Sequence, residues 1–245
     1  MEPINFYTFK WGDKYSAEYV NKLYRSLVRY CHVDFRFTCI TDSSDGIDSA
    51  IHIIDYNSFD PFPYPKDRVF TREKLVLMKR FNQGKNFWLD LDLLIMSDIT
   101  DLVTRELEKP TFIWNYWTWD KGEDDYNRLW SWGKGTICYI NSSFVGWQDD
   151  RGEFLYDHLD KWHKEAFHTY SSLDKYLFYQ HWNLNRGKLH FWERGIVNRY
   201  EGQEGPTSNR MWIFNSSHIK GNYQNKIYNE LHEQDGWVGE AWQTL

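Results

Sequence analysis

The sequence lacks the local motifs that mark several large enzyme classes. It contains no G-x-G-x-x-G or G-x-x-x-x-G-K-[ST] phosphate loop, which argues against dinucleotide-dependent enzymes and P-loop NTPases. It also lacks H-E-x-x-H and G-x-S-x-G, the signatures of zinc proteases and serine hydrolases. Cysteine is scarce: Cys31, Cys39 and Cys138 have no C-x-x-C spacing, so we expect reduced core thiols rather than a zinc site or a disulfide framework.

Long apolar runs are absent as well. No stretch approaches the roughly 20 apolar residues of a membrane span, and the first residues do not have the pattern of a secretory signal. We therefore expect no transmembrane segment and a cytoplasmic location. The chain has 29 Lys and Arg against 35 Asp and Glu, so it lacks the basic excess that nucleic-acid binding requires.

Aromatic residues, by contrast, are abundant. The 245-residue chain carries 14 Trp, 17 Tyr and 16 Phe, which make up 19% of it, within a hydrophobic total of 41%. Such a composition excludes intrinsic disorder and predicts a substantial core. Trp rings also pack against the C–H faces of sugars, so five Trp residues around the loop at 116–135 are candidates for an acceptor site: Trp114, Trp117, Trp119, Trp130 and Trp132.

Strand and helix patterns alternate in the first part of the chain. Strands are predicted at 4–9, 35–40, 50–54 and 86–89, and helices from Ser16 to Tyr30 and from Thr71 to Gly84. A proline-containing loop is predicted at 58–66. Alternating strands and helices with short connections indicate an α/β fold with an open, mostly parallel mixed sheet flanked by helices.

The second part of the chain is less regular. Strands are predicted at 112–114, 136–140 and 211–214, and helices at 152–164 and 171–182. We find no internal repeat in the chain and no linker between its two parts. We therefore predict a single domain over 1–245, with a nucleotide-binding half at 1–105 and an acceptor and sugar half at 106–245.

The motif Asp90-Leu91-Asp92 follows a predicted strand directly. In extended backbone, residues two apart point to the same side, so both carboxylates are expected to face one space. Ligands of open α/β sheets bind beyond the carboxyl ends of the strands, where this pair lies. Two carboxylates suit Mg²⁺ or Mn²⁺, and the oxygens of a diphosphate would complete the coordination shell of the ion.

Several stretches together resemble the glycogenin-like, family 8-type retaining glycosyltransferases of the GT-A fold. The matching segments, in the family's order, are Lys74-Leu75, the strand and D-x-D from Lys85 to Asp92, Asp98-Ile99-Thr100-Asp101-Leu102, Asn141-Ser142-Ser143, Leu173-Asp174-Lys175, Ile196-Val197-Asn198 and His218-Ile219-Lys220-Gly221. The resemblance covers about Asn5 to Gly221 and is most specific around Asp90 and Asp92.

The resemblance implies a role for particular residues. It assigns Asp90, Asp92 and His218 as metal ligands, with Asn215 or His190 as alternatives to His218. Lys220 would stabilise the departing diphosphate and Asp174 would lie near the transferred sugar. Further contacts to the nucleotide sugar would come from Lys74, with the neighbouring Arg72 as its alternative, and from Leu91, Asn141 and Gly221.

The chain departs from the family pattern at three places. Ser143 replaces the Gly of Asn-Ser-Gly, Lys175 replaces the Gln of Asp-Gln, and the family's Lys-Pro-Trp after Gly221 is absent. In the family the first two positions neighbour the sugar or the acceptor, so the identity of the donor sugar stays open. The third directly follows Lys220 and Gly221, which the resemblance assigns to the diphosphate.

The end of the first strand offers a site for the nucleotide base. Thr8 and Phe9 close that strand, Trp11 and Tyr15 follow it, and Asp42 follows the second strand. Aromatic rings there can stack on a base, and a carboxylate can accept hydrogen bonds from a base or ribose.

These features predict a metal-dependent hexosyltransferase that uses a nucleotide diphosphate sugar, with UDP as the favoured nucleotide, and an acceptor hydroxyl. The resemblance implies retention at the anomeric carbon, by front-face attack or through a covalent intermediate. The alternatives are a sugar nucleotidyltransferase, for which Lys10-Trp11-Gly12-Asp13-Lys14 is a poor phosphate loop, and a non-catalytic carbohydrate-binding protein on a transferase scaffold. Nothing in the sequence indicates an oligomeric state.

Overall fold

The computed structural model describes residues 4–59, 71–119, 138–170, 172–184, 187–202, 204–214, 231 and 236–245. The strands in these ranges are β1 Ile4–Lys10, β2 Phe35–Thr41, β3 His52–Asp55, β4 Lys85–Leu89, β5 Leu93–Ile95, β6 Thr111–Trp114, β7 Ile140–Gln148, β8 His190–Phe191, β9 Val197–Arg199 and β10 Met211–Ile213. The α-helices are α1 Ala17–Tyr30, α2 Glu73–Arg80, α3 Thr100–Thr104, α4 Tyr116–Trp119, α5 Glu153–Thr169, α6 Leu173–Tyr179 and α7 Gly236–Gln243.

The main sheet has seven strands in the order β3-β2-β1-β4-β7-β6-β8. All neighbouring strands pair in parallel except β7, which is antiparallel to both β4 and β6. A second sheet has the order β5-β10-β9. The predicted single-domain α/β fold with a mostly parallel mixed sheet flanked by helices is therefore confirmed.

The sheet separates two hydrophobic clusters because neighbouring residues of a strand point to opposite faces. On β1, Phe6 joins the cluster that includes α1, whereas Tyr7 joins the cluster that includes α2, α5 and α6. Helix α1 covers its face with buried Val20, Leu23 and Leu27, which lie three or four residues apart as the sequence predicts. The position of Ser16 as N-cap is confirmed, although its side chain makes no capping hydrogen bond.

Helix α2 is buried along most of its length. Its residues from Glu73 to Met78 are all buried, including the charged Lys74, because the helix lies between the sheet and α5. Thr71 was predicted to cap this helix, but the N-cap is Arg72, one residue later, and the helix ends at Arg80 rather than near Gly84. The carbonyl of Thr71 still accepts a hydrogen bond from the Lys74 N–H at 3.2 Å. Gly84 has φ +70°, which glycine adopts without strain, and leads the chain into β4.

The prediction was wrong for the central strand β7. A strand was expected at 136–140, but β7 runs from Ile140 to Gln148, and residues 136–137 lie outside the described ranges. The polar side chains of Asn141, Ser142 and Ser143 lie at the beginning of this strand and are buried. Both faces of β7 are covered, since Phe144 belongs to one hydrophobic cluster and Val145 to the other. Its residues therefore show no alternation of buried and exposed side chains.

Several other boundaries shift by a few residues. The third strand begins at His52 rather than at 50, α5 continues to Thr169, and α6 passes into a π-helix at Gln180–Leu184. Ser58, predicted to begin a loop, ends a 3₁₀ turn, and most of that predicted loop lies outside the described residues. None of the helices in the described ranges combines the length and hydropathy of a membrane span. The three cysteines are free thiols, as predicted.

Candidate active site

A cavity of about 310 Å³ opens at the carboxyl ends of β1 and β4, beside the first residues of β7 and α6. This is the edge where ligands of open α/β sheets bind. The residues that line the cavity are Phe9, Lys10, Trp11, Lys14, Tyr15, Thr71, Lys74, Trp88, Asp90, Leu91, Asp92, Asn141, Ser142, Ser143, Ser172, Leu173 and Asp174. Most residues assigned from the sequence in the described ranges thus lie together.

Asp90 and Asp92 both line this cavity, but not for the reason that the sequence suggested. They lie in a turn between β4 and β5, in which the carbonyl of Asp90 accepts a hydrogen bond from the Leu93 N–H at 3.3 Å. The backbone N–H of Asp90 donates to the Ser143 carbonyl at 2.9 Å, and the Asp92 carbonyl accepts from Phe214 N–H at 2.9 Å. These bonds fix the pair to both sheets of the molecule.

The Asp90 carboxylate is held by two donors at one oxygen. Its Oδ1 atom lies 2.7 Å from the Lys74 Nζ atom and accepts a hydrogen bond of 2.7 Å from the Trp88 indole N–H. The Lys74 side chain is 6% exposed and the Asp90 side chain 26%, so the ion pair is largely shielded from water on the lysine side. Shielding makes the attraction between these charges stronger than at a surface.

Lys74 also connects the aspartate turn to β7 and α6. Its Nζ atom donates to the Ser142 carbonyl at 2.9 Å and to the Ser142 Oγ atom at 3.2 Å. Ser142 in turn donates from its hydroxyl and its backbone N–H to Asp174 Oδ1, at 2.6 and 3.1 Å. Asp90, Lys74, Ser142 and Asp174 therefore form one continuous polar network on the cavity wall.

Burial raises the pKa of Asp174, against the lowering influence of Lys74 and of the Ser142 hydrogen bonds, while the negative charge of Asp90 adds to the rise. The folded protein thus holds this proton to a higher pH than the unfolded chain does. The resulting stability is present near and below the ordinary aspartate pKa of 3.8 and is lost as pH rises through the raised pKa.

Asp174→Asn is expected to remove this dependence, because an Asn oxygen can accept both Ser142 hydrogen bonds without a charge. We compare the free energy of unfolding of the two proteins. The difference, wild type minus variant, should fall as pH rises from the ordinary aspartate pKa through the raised pKa of Asp174, and should then level off. Urea denaturation without metal, at a series of pH values, measures this difference. Parallel curves for the two proteins would contradict the assignment.

Aromatic residues form the other end of the cavity. The Trp11 ring stacks on the Tyr56 ring with centroids 5.2 Å apart and an interplanar angle of 8°, and 37% of Trp11 is exposed. Phe9 packs against Trp88 with ring centroids 4.5 Å apart. The Tyr15 hydroxyl donates to Asp92 Oδ2 at 3.4 Å, so this end adjoins the aspartate pair.

Three residues assigned from the sequence do not line the cavity. Thr8 is fully buried and donates its hydroxyl to the Leu89 carbonyl at 2.8 Å, which joins β1 to β4. Asp42 accepts a hydrogen bond of 2.9 Å from the Gly12 N–H and so supports the loop that carries Trp11. Arg72 is buried with its guanidinium 5.2 Å from the Phe167 ring centre. The structure does not bring these three side chains to the cavity, and their contact with a ligand stays a prediction.

The remaining predicted site residues, His218, Lys220 and Gly221, lie outside the described ranges, as does Asn215. The alternative ligand His190 is exposed in β8 at the edge of the main sheet and does not line the cavity.

Sequence reasoning did not single out several lining residues. Lys10 and Lys14 were considered only as parts of a poor phosphate loop, Thr71 only as the beginning of a helix, and Ser172 only as part of the predicted helix at 171–182. The sequence could have predicted Trp88 as a site residue, since it lies two residues before Asp90 and therefore on the same side of an extended strand. Ser142 and Ser143 belong to the family-like segment but were not assigned to the site.

The Trp residues near the predicted acceptor loop are only partly described. Trp114 stacks on Tyr139 with ring centroids 5.6 Å apart, and Trp117 packs, half-buried, against the hydrophobic cluster on the α1 side of the sheet. Trp130, Trp132 and the side chain of Trp119 lie outside the described part of the structure. The acceptor role of these residues stays a prediction.

The donor atoms of the cavity fit a hard divalent cation. Within the described residues no group of three His, Cys, Asp or Glu side chains could hold a metal. The carboxylates that line the cavity are Asp90, Asp92 and Asp174, and the resemblance assigns the first two to the cation. Mg²⁺ is commonly held by one or two carboxylates together with substrate phosphates and water. The pair therefore suits a cation that binds with a diphosphate better than one that binds alone.

Comparisons with known proteins bear on the fold. No family model matches the chain, and no curated protein matches it. The chain is similar to a crystal structure of the galactosyltransferase LgtC in complex with donor and acceptor sugar analogues, at 14% identity over 80% of this chain and 76% of that chain, with a TM-score of 0.56.

Two further solved structures extend this likeness. A structure of an active-site mutant of LgtC matches at 14% identity over 98% of this chain and 94% of that chain, with a TM-score of 0.59. Mouse xyloside xylosyltransferase 1 in its apo form matches at 11% identity over 88% of this chain and 99% of that chain, with a TM-score of 0.56. Likeness at such low identity establishes the architecture, and the resemblance noted in the sequence is confirmed at that level: the chain has the GT-A fold of glycosyltransferases.

Proposed function

We propose that the protein transfers a hexosyl group from a nucleotide diphosphate sugar, a UDP-sugar by preference, to an acceptor hydroxyl, with Mn²⁺ or Mg²⁺ bound. The observation that carries this proposal is the cavity at the carboxyl ends of β1 and β4, where Asp90 and Asp92 lie beside buried Lys74. Solved structures of the same fold include LgtC with donor and acceptor sugar analogues. A sugar nucleotide and a carbohydrate acceptor are the partners that this likeness favours.

Different residues of the cavity would bind different parts of the nucleotide sugar. Exposed Trp11 and half-buried Tyr15 offer ring faces to a nucleotide base at one end of the cavity. Asp90 and Asp92 would hold the cation, which when bound withdraws charge from the diphosphate and makes it a better leaving group. Lys74 supplies a buried positive charge to the same region. From the resemblance we propose that Lys220 supplies a second positive charge and that the backbone of Gly221 contacts the diphosphate.

Asp174 is proposed to contact the transferred sugar. Its carboxyl group lines the cavity and is oriented by two hydrogen bonds from Ser142, so it presents an acceptor of fixed direction. A sugar hydroxyl is a suitable donor to such a group. Retention at the anomeric carbon stays part of the proposal, since it depends on the family resemblance.

Thermal denaturation tests the proposal directly. With UDP, GDP and CTP, each with and without Mn²⁺, we expect one nucleoside diphosphate to raise the melting temperature only when metal is present. At a ligand concentration of 100 times Kd the stabilisation is about 2.7 kcal/mol. If no combination raises the melting temperature, the proposal is wrong. Stabilisation by CTP with metal would instead favour a nucleotidyltransferase.

A further inference from the structure

We infer that Trp88 is a positioning residue for the aspartate pair: its indole N–H fixes the Asp90 carboxylate so that the oxygen Oδ2 is directed to the cation. This inference rests on the proposed function, because it concerns how the proposed metal site is held. It assigns a role to a strand residue that would otherwise be counted as core.

The contact between Trp88 and Asp90 is short and well supported. The indole Nε1 atom lies 2.7 Å from Asp90 Oδ1, and only 3% of Trp88 is exposed. One side of the ring system packs against Phe9, and the Lys74 Nζ atom lies 5.0 Å from the ring centre. A ring held in this way has little freedom to turn, so its N–H keeps a constant direction.

The choice of donor also has an electrostatic consequence. An indole N–H is a neutral donor, so it orients the carboxylate without cancelling its negative charge. In the described part of the structure, the hydrogen-bonding contacts to the Asp90 side chain go to Oδ1, and none goes to Oδ2. Trp88 and Lys74 thus both contact Oδ1 and leave Oδ2 for a cation, and of these two donors only Lys74 offsets the negative charge of the carboxylate.

Groups that orient metal ligands commonly change metal affinity by 10- to 100-fold when they are removed. We therefore expect Trp88→Phe, which keeps a ring in the core but has no N–H, to weaken Mn²⁺ binding in the presence of UDP by about 10-fold or more. The readout is the concentration of free Mn²⁺ measured by electron paramagnetic resonance, which does not depend on turnover.

Trp147→Phe is the matched control. Trp147 is fully buried in the same hydrophobic cluster, and its indole N–H donates to the Phe81 carbonyl at 2.9 Å, away from Asp90. A purely structural role for Trp88 would give both variants a lower melting temperature and an unchanged Mn²⁺ affinity. That result, with the wild type binding Mn²⁺ normally, would overturn the inference and leave the proposed function intact.

A second measurement uses the wild type and so does not depend on whether the Trp88 variant folds. In the ¹⁵N-labelled wild type with UDP, Mg²⁺ should shift the Trp88 indole N–H resonance, because its acceptor Asp90 would then hold the cation, and should leave the Trp147 resonance in place. A Trp88 resonance that does not move in protein with bound Mg²⁺ would overturn the inference. Failure of the wild type to bind Mn²⁺ under any condition would overturn the proposed metal site itself, and the inference with it.

Discussion

Asp92→Asn is expected to lower the rate of glycosyl transfer by at least about a thousandfold, because a bound metal contributes several kcal/mol to such a reaction and each 1.36 kcal/mol is tenfold in rate. Asp92 lines the cavity and is held by the Tyr15 hydroxyl at 3.4 Å. Asn has the same shape, so the fold should be unaffected. The variant should also lose the metal-dependent rise in melting temperature with a nucleoside diphosphate.

The control for this prediction is Asp34→Asn, the same chemical change at an exposed position before β2. It should retain both the transfer rate and the metal-dependent stabilisation. Transfer is measured as nucleoside diphosphate release with an excess of acceptor. An Asp92→Asn protein that still shows metal-dependent binding of the nucleotide would exclude Asp92 as a metal ligand.

Lys74→Met is expected to lower the free energy of unfolding by about 3 kcal/mol, the lower end of the range for a broken buried ion pair. The lower end applies because the Asp90 side chain is about a quarter exposed. Removing the ammonium also takes from Asp174 the positive charge that most lowers its pKa. Urea denaturation at neutral pH gives the change, and added Mn²⁺ should restore part of it by supplying positive charge.

Lys79→Met, on the same helix, provides the comparison. Lys79 pairs with Glu153 at 2.6 Å and with Asp157 at 3.2 Å, but its side chain is 41% exposed. Exposed pairs contribute about 1 kcal/mol or less, so this variant should lose little stability. Equal losses in the two variants would show that the burial of Lys74 has no special energetic effect.

The sequence predicts best those elements whose patterns are local. The helix from Ala17 to Tyr30 shows its buried positions directly in its spacing, and its neighbouring strands are short, apolar and bounded by turns. The strand Leu93–Ile95 was missed because three residues carry no periodicity. It is a strand only because Met211–Ile213 pairs with it from far along the chain.

The types of residue in the site could be predicted from the sequence, but the directions in which their side chains point could not. Thr8 and Phe9 are neighbours on a strand, so they point to opposite faces and only Phe9 reaches the cavity. Arg72 and Lys74 are two positions apart on a helical turn, about 200° around its axis, so only one of them faces the cavity. Choosing between such neighbours requires knowing which face packs against the sheet.

The reversed direction of β7 has a consequence for how proteins of this architecture can diversify. In a wholly parallel sheet, only strand ends would open onto the ligand edge, whereas β7 brings its beginning there, so that Asn141, Ser142 and Ser143 line the cavity. Residues inserted before Ile140 would therefore enter the chain at the binding edge, away from the pairing of residues Phe144 to Gln148 with β4. A longer segment before this one strand would change the surroundings of the cavity without altering the strand pairing beneath it.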